Sequence, residues 1–143
     1  MKKVCVIGAG SWGTALAILL AHNGYEVLVW GRLEDGVEET QRMRENMRFL
    51  PGVGIPAAVT FVPDMADAMR GADLVVLSVP SQALRSVLID LRAHVDSHML
   101  LVNTAKGLEI KTHLRMSEVV RDLWGAEALR RFAVISGPSH AEE

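Results

Sequence analysis

The sequence is poor in the features that mark several classes of protein. It contains a single cysteine, Cys5, so no disulfide can form within the chain, which fits a reducing, cytoplasmic setting. Cys5 stands in an apolar run, where a small buried side chain is the expected role for it. No apolar run is long enough to span a membrane, and no secretory leader pattern precedes the first strand pattern. We therefore expect a soluble protein of the cytoplasm.

An excess of charge of one sign is also lacking. Fifteen Lys and Arg residues and 17 Asp and Glu residues give a formal net charge of -2 at pH 7. This balance gives no reason to propose nucleic acid or an anionic membrane as a partner. The histidines show no spacing typical of a structural zinc site. His94 and His98 are four residues apart, but the residues between them are typical of a connection from a helix to a strand, so we predict no metal site.

Strand and helix patterns alternate along the whole chain, and half of the residues are hydrophobic. At 143 residues the chain is predicted to form one domain with a substantial core. The alternation predicts an α/β fold of the Rossmann type, with a doubly wound, mainly parallel sheet and helices on both faces. The predicted strands cover residues 4–7, 27–30, 59–62, 74–79, 99–102 and 132–135.

Helical patterns fill most of the intervals between these strands. A charged segment over 33–48 is typical of the solvated face of a helix, and a loop with two prolines follows over 51–56. Asp64 is expected to cap a short helix, and Ser81 to cap a longer one. The predicted helices cover residues 14–22, 64–70, 81–93 and 114–124.

The strongest chemical signal is the glycine motif between the first strand and the first helix. Gly8 permits a tight turn, Gly10 lets the backbone approach a pyrophosphate, and Gly13 lets the helix pack closely on the sheet. The unpaired N–H groups at the start of that helix would face the phosphates. This context predicts a site for NAD or NADP, and a glycine-rich turn that binds nothing is the alternative. Trp12 either shields the pyrophosphate or packs in the core.

Further candidates follow the other strands, because a ligand of an open parallel sheet lies beyond the carboxyl ends of its strands. Arg32 is placed to contact a 2′-phosphate or to stack on adenine, and a plain surface arginine explains it nearly as well. Glu34 and Asp35 lie nearby and could serve the ribose. Pro80 could form a wall of the site, although helix initiation explains it equally. Lys106 could reach a substrate carbonyl or phosphate, or it is a solvated loop lysine.

Six segments together resemble the bacterial NAD(P)-dependent glycerol-3-phosphate dehydrogenases. The sequence Lys-Gly-Leu-Glu at 106–109 and the ending Gly-Pro-Ser-His-Ala-Glu-Glu at 137–143 are much more specific than the glycine motif, which many dehydrogenases share. The segments occur in the order of the family and span essentially the whole chain: residues 8–16, 30–32, 46–52, 79–85, 106–109 and 136–143. The resemblance implies reversible hydride transfer between dihydroxyacetone phosphate and sn-glycerol 3-phosphate with NADH or NADPH, which supplies a phospholipid precursor.

By position, the resemblance implies roles for individual residues. Lys106 would contact both cofactor and substrate and is the catalytic candidate. Phe49 stands where the family often has tyrosine, so a hydroxyl contact is lost while ring packing is kept. Leu33 stands where a second basic residue is common, which weakens an argument for NADPH selectivity. With the residues at the strand ends, the candidate cofactor contacts are Gly8, Gly10, Ser11, Trp12, Gly13, Arg32, Phe49, Pro80, Lys106 and Ala141. The candidate substrate contacts are Lys106, Gly137 and Ser139.

The chain departs from the family most in its length. Members of the family continue into a helical domain that closes over the substrate and supplies a second lysine for proton transfer, which would lie beyond Glu143. Residues 1–143 would then be the dinucleotide-binding domain, and alone they are expected to bind cofactor weakly and turn over poorly or not at all. A homodimer of the full-length form stays open. The alternatives are a non-catalytic redox-sensing module, against which Lys106 argues, and the N-terminal half of a related hydroxyacid dehydrogenase.

Overall fold

The computed structural model describes residues 2–142, which form one six-stranded sheet and a separate two-stranded sheet. The large sheet contains β1 (Lys3–Ile7), β2 (Glu26–Trp30), β5 (Val59–Val62), β6 (Leu74–Leu77), β7 (Leu100–Asn103) and β8 (Phe132–Val134). The small sheet contains β3 (Glu45–Asn46) and β4 (Leu50–Gly54). Within residues 2–142, five α-helices connect the strands: α1 (Ser11–His22), α2 (Val37–Met43), α3 (Met65–Met69), α4 (Leu84–Leu91) and α5 (Met116–Trp124).

The large sheet is parallel throughout, and its strand order is β5-β2-β1-β6-β7-β8. The chain starts at β1 in the middle, builds outward through β2 and β5, and then returns to build the other half from β6. The direction of winding therefore reverses between β1 and β6, which opens a crevice beyond their carboxyl ends. This order confirms the predicted doubly wound fold.

Residues of β1 point alternately into two hydrophobic cores, one on each face of the sheet. Val4 and Val6 join the core that contains residues of α1 and α2. Cys5 and Ile7 join the core that contains residues of α3, α4 and α5. Cys5 is fully buried as expected, and its burial raises the pKa of the thiol to about 12, so it stays protonated at neutral pH.

The charged segment over 33–48, whose pattern is typical of a solvated helix face, is an α-helix only over Val37–Met43. A short 3-10 turn at Leu33–Asp35 comes first, and α2 ends at Met43 because Arg44 adopts a left-handed conformation with φ of 56°. The Arg44 guanidinium donates hydrogen bonds to the carbonyls of Ile55, Pro56 and Val59. These carbonyl groups lie outside residues 33–48 and hold the backbone at Arg44 in this conformation. The pattern of residues 33–48 alone could therefore not predict where α2 ends.

The predicted loop over 51–56 is also wrong in part, since β4 covers Leu50–Gly54 and pairs with β3 in antiparallel fashion. The amide of Gly52 donates to the Glu45 carboxylate at 2.6 Å. A proline is tolerated at position 51 because a two-stranded sheet consists only of edge strands.

Other helix boundaries differ from the predictions by a few residues. The first helix begins at Ser11, three residues earlier than predicted, with Gly10 as its N-cap. Asp64 caps α3 as expected, accepting a hydrogen bond from the amide of Asp67. The predicted helix over 81–93 is a 3-10 turn at Ser81–Ala83, then α4, then a second 3-10 turn at Arg92–His94, and Ser81 does not cap it through its side chain. Within residues 2–142, no helix combines the length and the apolar character needed to cross a bilayer.

Candidate functional site

The glycine loop between β1 and α1 is shaped by two close backbone approaches. Gly8 has φ of +119°, and a Cβ there would lie 2.5 Å from the carbonyl oxygen of Ser78. A Cβ on Gly13 would lie 1.9 Å from the carbonyl oxygen of Gly8. Both positions therefore require glycine, and together they bring the start of α1 against the ends of β1 and β6.

Gly10 is different, because a Cβ there would meet nothing within 4 Å among the described residues. Its backbone is extended, with φ of -75°, so an alanine would suit the conformation. Gly10 is the N-cap of the 12-residue helix α1, and no side chain in the described part of the chain caps this helix end. The helix thus presents free N–H groups and the positive end of its dipole to the open space beside Gly10.

Two cavities adjoin at this point. The first, of about 520 Å³, lies towards the end of β2 and is lined by residues that include Gly8, Arg32, Asp35, Phe49 and Pro80. The second, of about 500 Å³, lies towards the end of β7 and is lined by residues that include Ser11, Trp12, Lys106, Ser139 and Ala141. Both are lined by Gly10, Ser78, Val79 and Pro80. We call the two together the carboxyl-edge groove.

The two compartments and the helix start between them suit the layout of a dinucleotide. Such a ligand consists of two nucleosides joined by a pyrophosphate, and the groove has two compartments that meet at the uncapped start of α1. A pyrophosphate is favoured there by free N–H groups and the helix dipole. Gly10 has no side chain, so the space beside it stays open for the pyrophosphate.

Lys106 and Ser139 come together in the second compartment. The ammonium group of Lys106 donates a hydrogen bond to Ser139 Oγ at 3.2 Å. The two residues are 33 positions apart in sequence, so the fold alone brings together these two candidates for substrate binding. Gly137, in contrast, does not line either compartment. Gly13 does not line them either, and its lack of a side chain allows close packing against the carbonyl of Gly8.

The loop that carries Lys106 is held by hydrogen bonds to the neighbouring strand. Thr104 Oγ1 donates to the carbonyl of Leu77 at 3.0 Å and contacts Ser78 Oγ at 3.2 Å. The side chain of Asn103 donates to the carbonyl of Ala105 at 2.9 Å. Thr104 and Asn103 are buried, so the base of the loop is fixed while Lys106 itself is exposed.

The far side of the same loop is fixed by an ion pair that sequence reasoning did not select. Arg85 in α4 binds both carboxylate oxygens of Glu109, at 2.8 and 3.0 Å, and also contacts Asp122 at 2.7 Å. Hydrogen bonds from Arg85 and from Thr112 lower the pKa of Glu109 to about 2. Arg85 and Glu109 each stand in a segment that carries the family resemblance, and that was the available signal.

Asn46 is a second residue that sequence reasoning missed. It is buried, and its amide donates to the carbonyl of Ala9 at 2.9 Å and to Thr14 Oγ1 at 2.8 Å. Its oxygen accepts from the amide of Phe49 at 3.1 Å. Asn46 therefore ties the glycine loop to Phe49, which lines the first compartment beneath the guanidinium of Arg48.

Metal-ligating side chains do not cluster in this part of the molecule or elsewhere in residues 2–142. Among these residues, no group of three or more His, Cys, Asp or Glu side chains is placed to hold a metal ion. The groups available for chemistry in the second compartment include backbone N–H groups, hydroxyls and the ammonium of Lys106.

Comparison with known proteins points to one family. The family model described as the N-terminus of NAD-dependent glycerol-3-phosphate dehydrogenase matches residues 3–143. The glycerol-3-phosphate dehydrogenase (NAD(P)+) of Syntrophomonas wolfei is 52% identical over 143 residues, which are 100% of this chain and 42% of that protein. The enzyme of the same name from Geobacillus kaustophilus is 46% identical over 143 residues, or 41% of its length. The chain thus spans about two fifths of the length of these curated relatives.

Solved structures agree with this result. A crystal structure of glycerol-3-phosphate dehydrogenase from Coxiella burnetii superposes with a TM-score of 0.88 at 33% identity, and covers 99% of this chain and 42% of that one. The glycerol-3-phosphate dehydrogenase GPD1 of Saccharomyces cerevisiae superposes with a TM-score of 0.82 at 29% identity, over 99% and 43% of the two chains.

Proposed function

The chain belongs to the NAD-dependent glycerol-3-phosphate dehydrogenase family, and from this membership we propose that it is the cofactor-binding part of an oxidoreductase. The reaction is hydride transfer between NADH or NADPH and dihydroxyacetone phosphate, which gives sn-glycerol 3-phosphate for phospholipid synthesis. The observation that carries the proposal is the carboxyl-edge groove, in which an uncapped helix start and Lys106 face the same cleft.

The backbone around Gly10 binds and orients the cofactor. The N–H groups at the start of α1 receive the pyrophosphate, and Ser11 and Trp12 extend this contact into the second compartment. Arg32 and Phe49 face the adenosine end, while Pro80 lines both compartments. Ala141 lines the second compartment. When bound, the nicotinamide ring donates or accepts the hydride.

Lys106 and Ser139 seat the substrate in the second compartment. As the carbonyl carbon of dihydroxyacetone phosphate is reduced, negative charge develops on its oxygen, and a fixed ammonium group stabilises that charge. Ser139 lines this compartment and contributes the other contact of this chain to the substrate. A substrate contact from Gly137, which does not line the compartment, stays a prediction. The new hydroxyl also needs a proton, and we assign its donor to a lysine beyond Glu143. The 143 residues alone are therefore expected to bind cofactor but to turn over poorly.

We also place the enzyme in the cytoplasm, which agrees with its single buried thiol. A homodimer of the full-length form stays a prediction.

Gly10→Ala tests the proposed cofactor site without disturbing the fold. Its Cβ meets nothing within 4 Å in residues 2–142, so thermal stability should hardly change, but it enters the space that the pyrophosphate requires. Fluorescence titration should show NADH binding weakened about tenfold or more. Gly54→Ala is the matched control, because its Cβ also meets nothing within 4 Å of the described residues and it lies in β4. Equal NADH affinity in both variants and the unmodified chain would contradict the site.

A further inference from the structure

Acidic residues surround Arg32, for which contact with a 2′-phosphate was one of the predicted roles. If the carboxyl-edge groove binds a nicotinamide dinucleotide, on which this inference rests, we infer that Asp35 and Glu34 hold Arg32 and make the groove selective for NADH over NADPH. Asp35 is then a specificity-determining residue, and Arg32 is a positioning partner for it rather than a phosphate receptor.

All three nitrogens of the Arg32 guanidinium contact carboxylate oxygens. Nε and Nη2 donate to the two oxygens of Asp35 at 2.9 and 3.2 Å, and Nη1 lies 2.8 Å from a Glu34 oxygen. The Asp35 side chain is 23% exposed, against 59% for Arg32 and 70% for Glu34. Asp35 therefore forms the fixed, bidentate part of the cluster, and Glu34 adds a second, more solvated contact.

The backbone places Asp35 opposite Arg32. The 3-10 turn at Leu33–Asp35 is closed by a hydrogen bond from the amide of Asp35 to the carbonyl of Arg32 at 3.0 Å. Gly36 ends this turn with φ of +78°, which glycine adopts without strain. Arg48 adds a hydrogen bond to the carbonyl of Glu34 at 2.7 Å. The acidic side chains thus belong to a turn that is held by several hydrogen bonds.

The charges at this end of the groove oppose a phosphate. Arg32 and Asp35 line this cavity, and with Glu34 they have a net charge of -1. Arg48 is the other cation that lines the same cavity. A 2′-phosphate carries about two negative charges at neutral pH, so pairing it with Arg32 would leave a carboxylate without its cation.

A ribose hydroxyl carries no charge, so these carboxylates do not repel it and Arg32 can stay paired with them. Each Asp35 oxygen that accepts from Arg32 keeps a further lone pair, so the carboxylate can also accept from the 2′-hydroxyl of NADH. An acid at this place after the second strand is the usual receptor of that hydroxyl in dinucleotide-binding sheets. Leu33, which is 63% exposed, adds no second cation for a phosphate.

The test is a fluorescence titration of the chain and its variants with NADH and, separately, NADPH. The unmodified chain should bind NADH more tightly. Asp35→Asn should shift the preference towards NADPH about threefold, and the double variant Glu34→Gln/Asp35→Asn about tenfold, as expected for exposed ion pairs. In an Arg32→Ala background, Asp35→Asn should shift the preference less than it does in the unmodified chain, because no guanidinium is then released and only the direct effect of the carboxylate on the dinucleotide remains.

Asp90→Asn is the matched control, because it removes a carboxylate from the same cavity lining but from outside the cluster that contacts Arg32 in the described chain. It should shift the preference by less than about twofold. Tighter binding of NADPH by the unmodified chain, or equal shifts for Asp35→Asn and Asp90→Asn, would overturn the inference and leave the dinucleotide site standing. A folded chain that binds neither dinucleotide would overturn the site and the inference together.

Discussion

Lys106 is the side chain of this chain on which the proposed chemistry depends most. It is exposed, and its ammonium group lies 3.2 Å from Ser139 Oγ in the second compartment. The position after a buried strand predicted its place at the carboxyl edge, but its partner Ser139 could be named only from the family resemblance. Residues 33 positions apart become neighbours only through the whole sheet, which no local pattern encodes.

Lys106→Ala should remove the response of the chain to substrate without changing its stability. With NADH bound, sn-glycerol 3-phosphate or dihydroxyacetone phosphate should raise the melting temperature of the unmodified chain, because a ligand that binds the native state stabilises it. The variant should lose most of that increase and keep its own melting temperature within about 1 °C. Lys111→Ala, an exposed lysine of the same loop, is the control. An unchanged substrate response in Lys106→Ala would exclude this role for the ammonium group.

Among the structural elements, the sequence predicts those with a buried apolar pattern best. The strands of the parallel sheet were predicted within one or two residues, because apolar residues on both faces mark a central strand. The segment that contains α2, β3 and β4 was not, because its form depends on the distant carbonyls that bind Arg44 and on the Glu45 carboxylate that binds Gly52. Asn46 stands in a segment that carries the family resemblance, but its hydrogen bonds to the glycine loop and to Phe49 join residues that no local pattern connects.

The loop between β7 and α5 should be sensitive to acid through Glu109. Hydrogen bonds from Arg85 and Thr112 lower the folded-state pKa of Glu109 from 4.5 to about 2. The ionised carboxylate therefore stabilises the fold fully above pH 4.5, and this contribution is lost as the pH falls towards 2. Glu109→Gln should lower the melting temperature at neutral pH, and the difference from the unmodified chain should shrink as the pH falls below 4.5.

Melting curves across this pH range measure the effect. Glu127→Gln is the control, since it removes a carboxylate from a solvent-exposed ion pair with Arg130, and such pairs contribute little to stability. It should melt close to the unmodified chain at every pH. If Glu109→Gln differed from the unmodified chain by a constant amount down to low pH, the Arg85–Glu109 pair would not be the source of the sensitivity.

In the molecule as a whole, the site arises from the order of the strands. Reversal of winding between β1 and β6 opens the crevice, and the residues after β1, β2, β6 and β7 line it. The alternation of strands and helices was sufficient to predict this edge as the binding edge. It could not predict which side chains at the edge pair with each other. The cluster of Arg32 with Asp35 and Glu34 changes the interpretation of an arginine that looked suited to a phosphate.

The most direct test of the carboxyl-edge groove is to map NADH binding on the chain by amide chemical shifts. We predict that addition of NADH shifts the amide signals of residues 8–13 and of Arg32 and Lys106, with the largest changes at the start of α1. The cavity of about 500 Å³ lined by Arg92 and Trp124 lies outside this groove and should show no change. Shifts confined to that second region, or no shifts in a folded chain at saturating NADH, would contradict the proposed site.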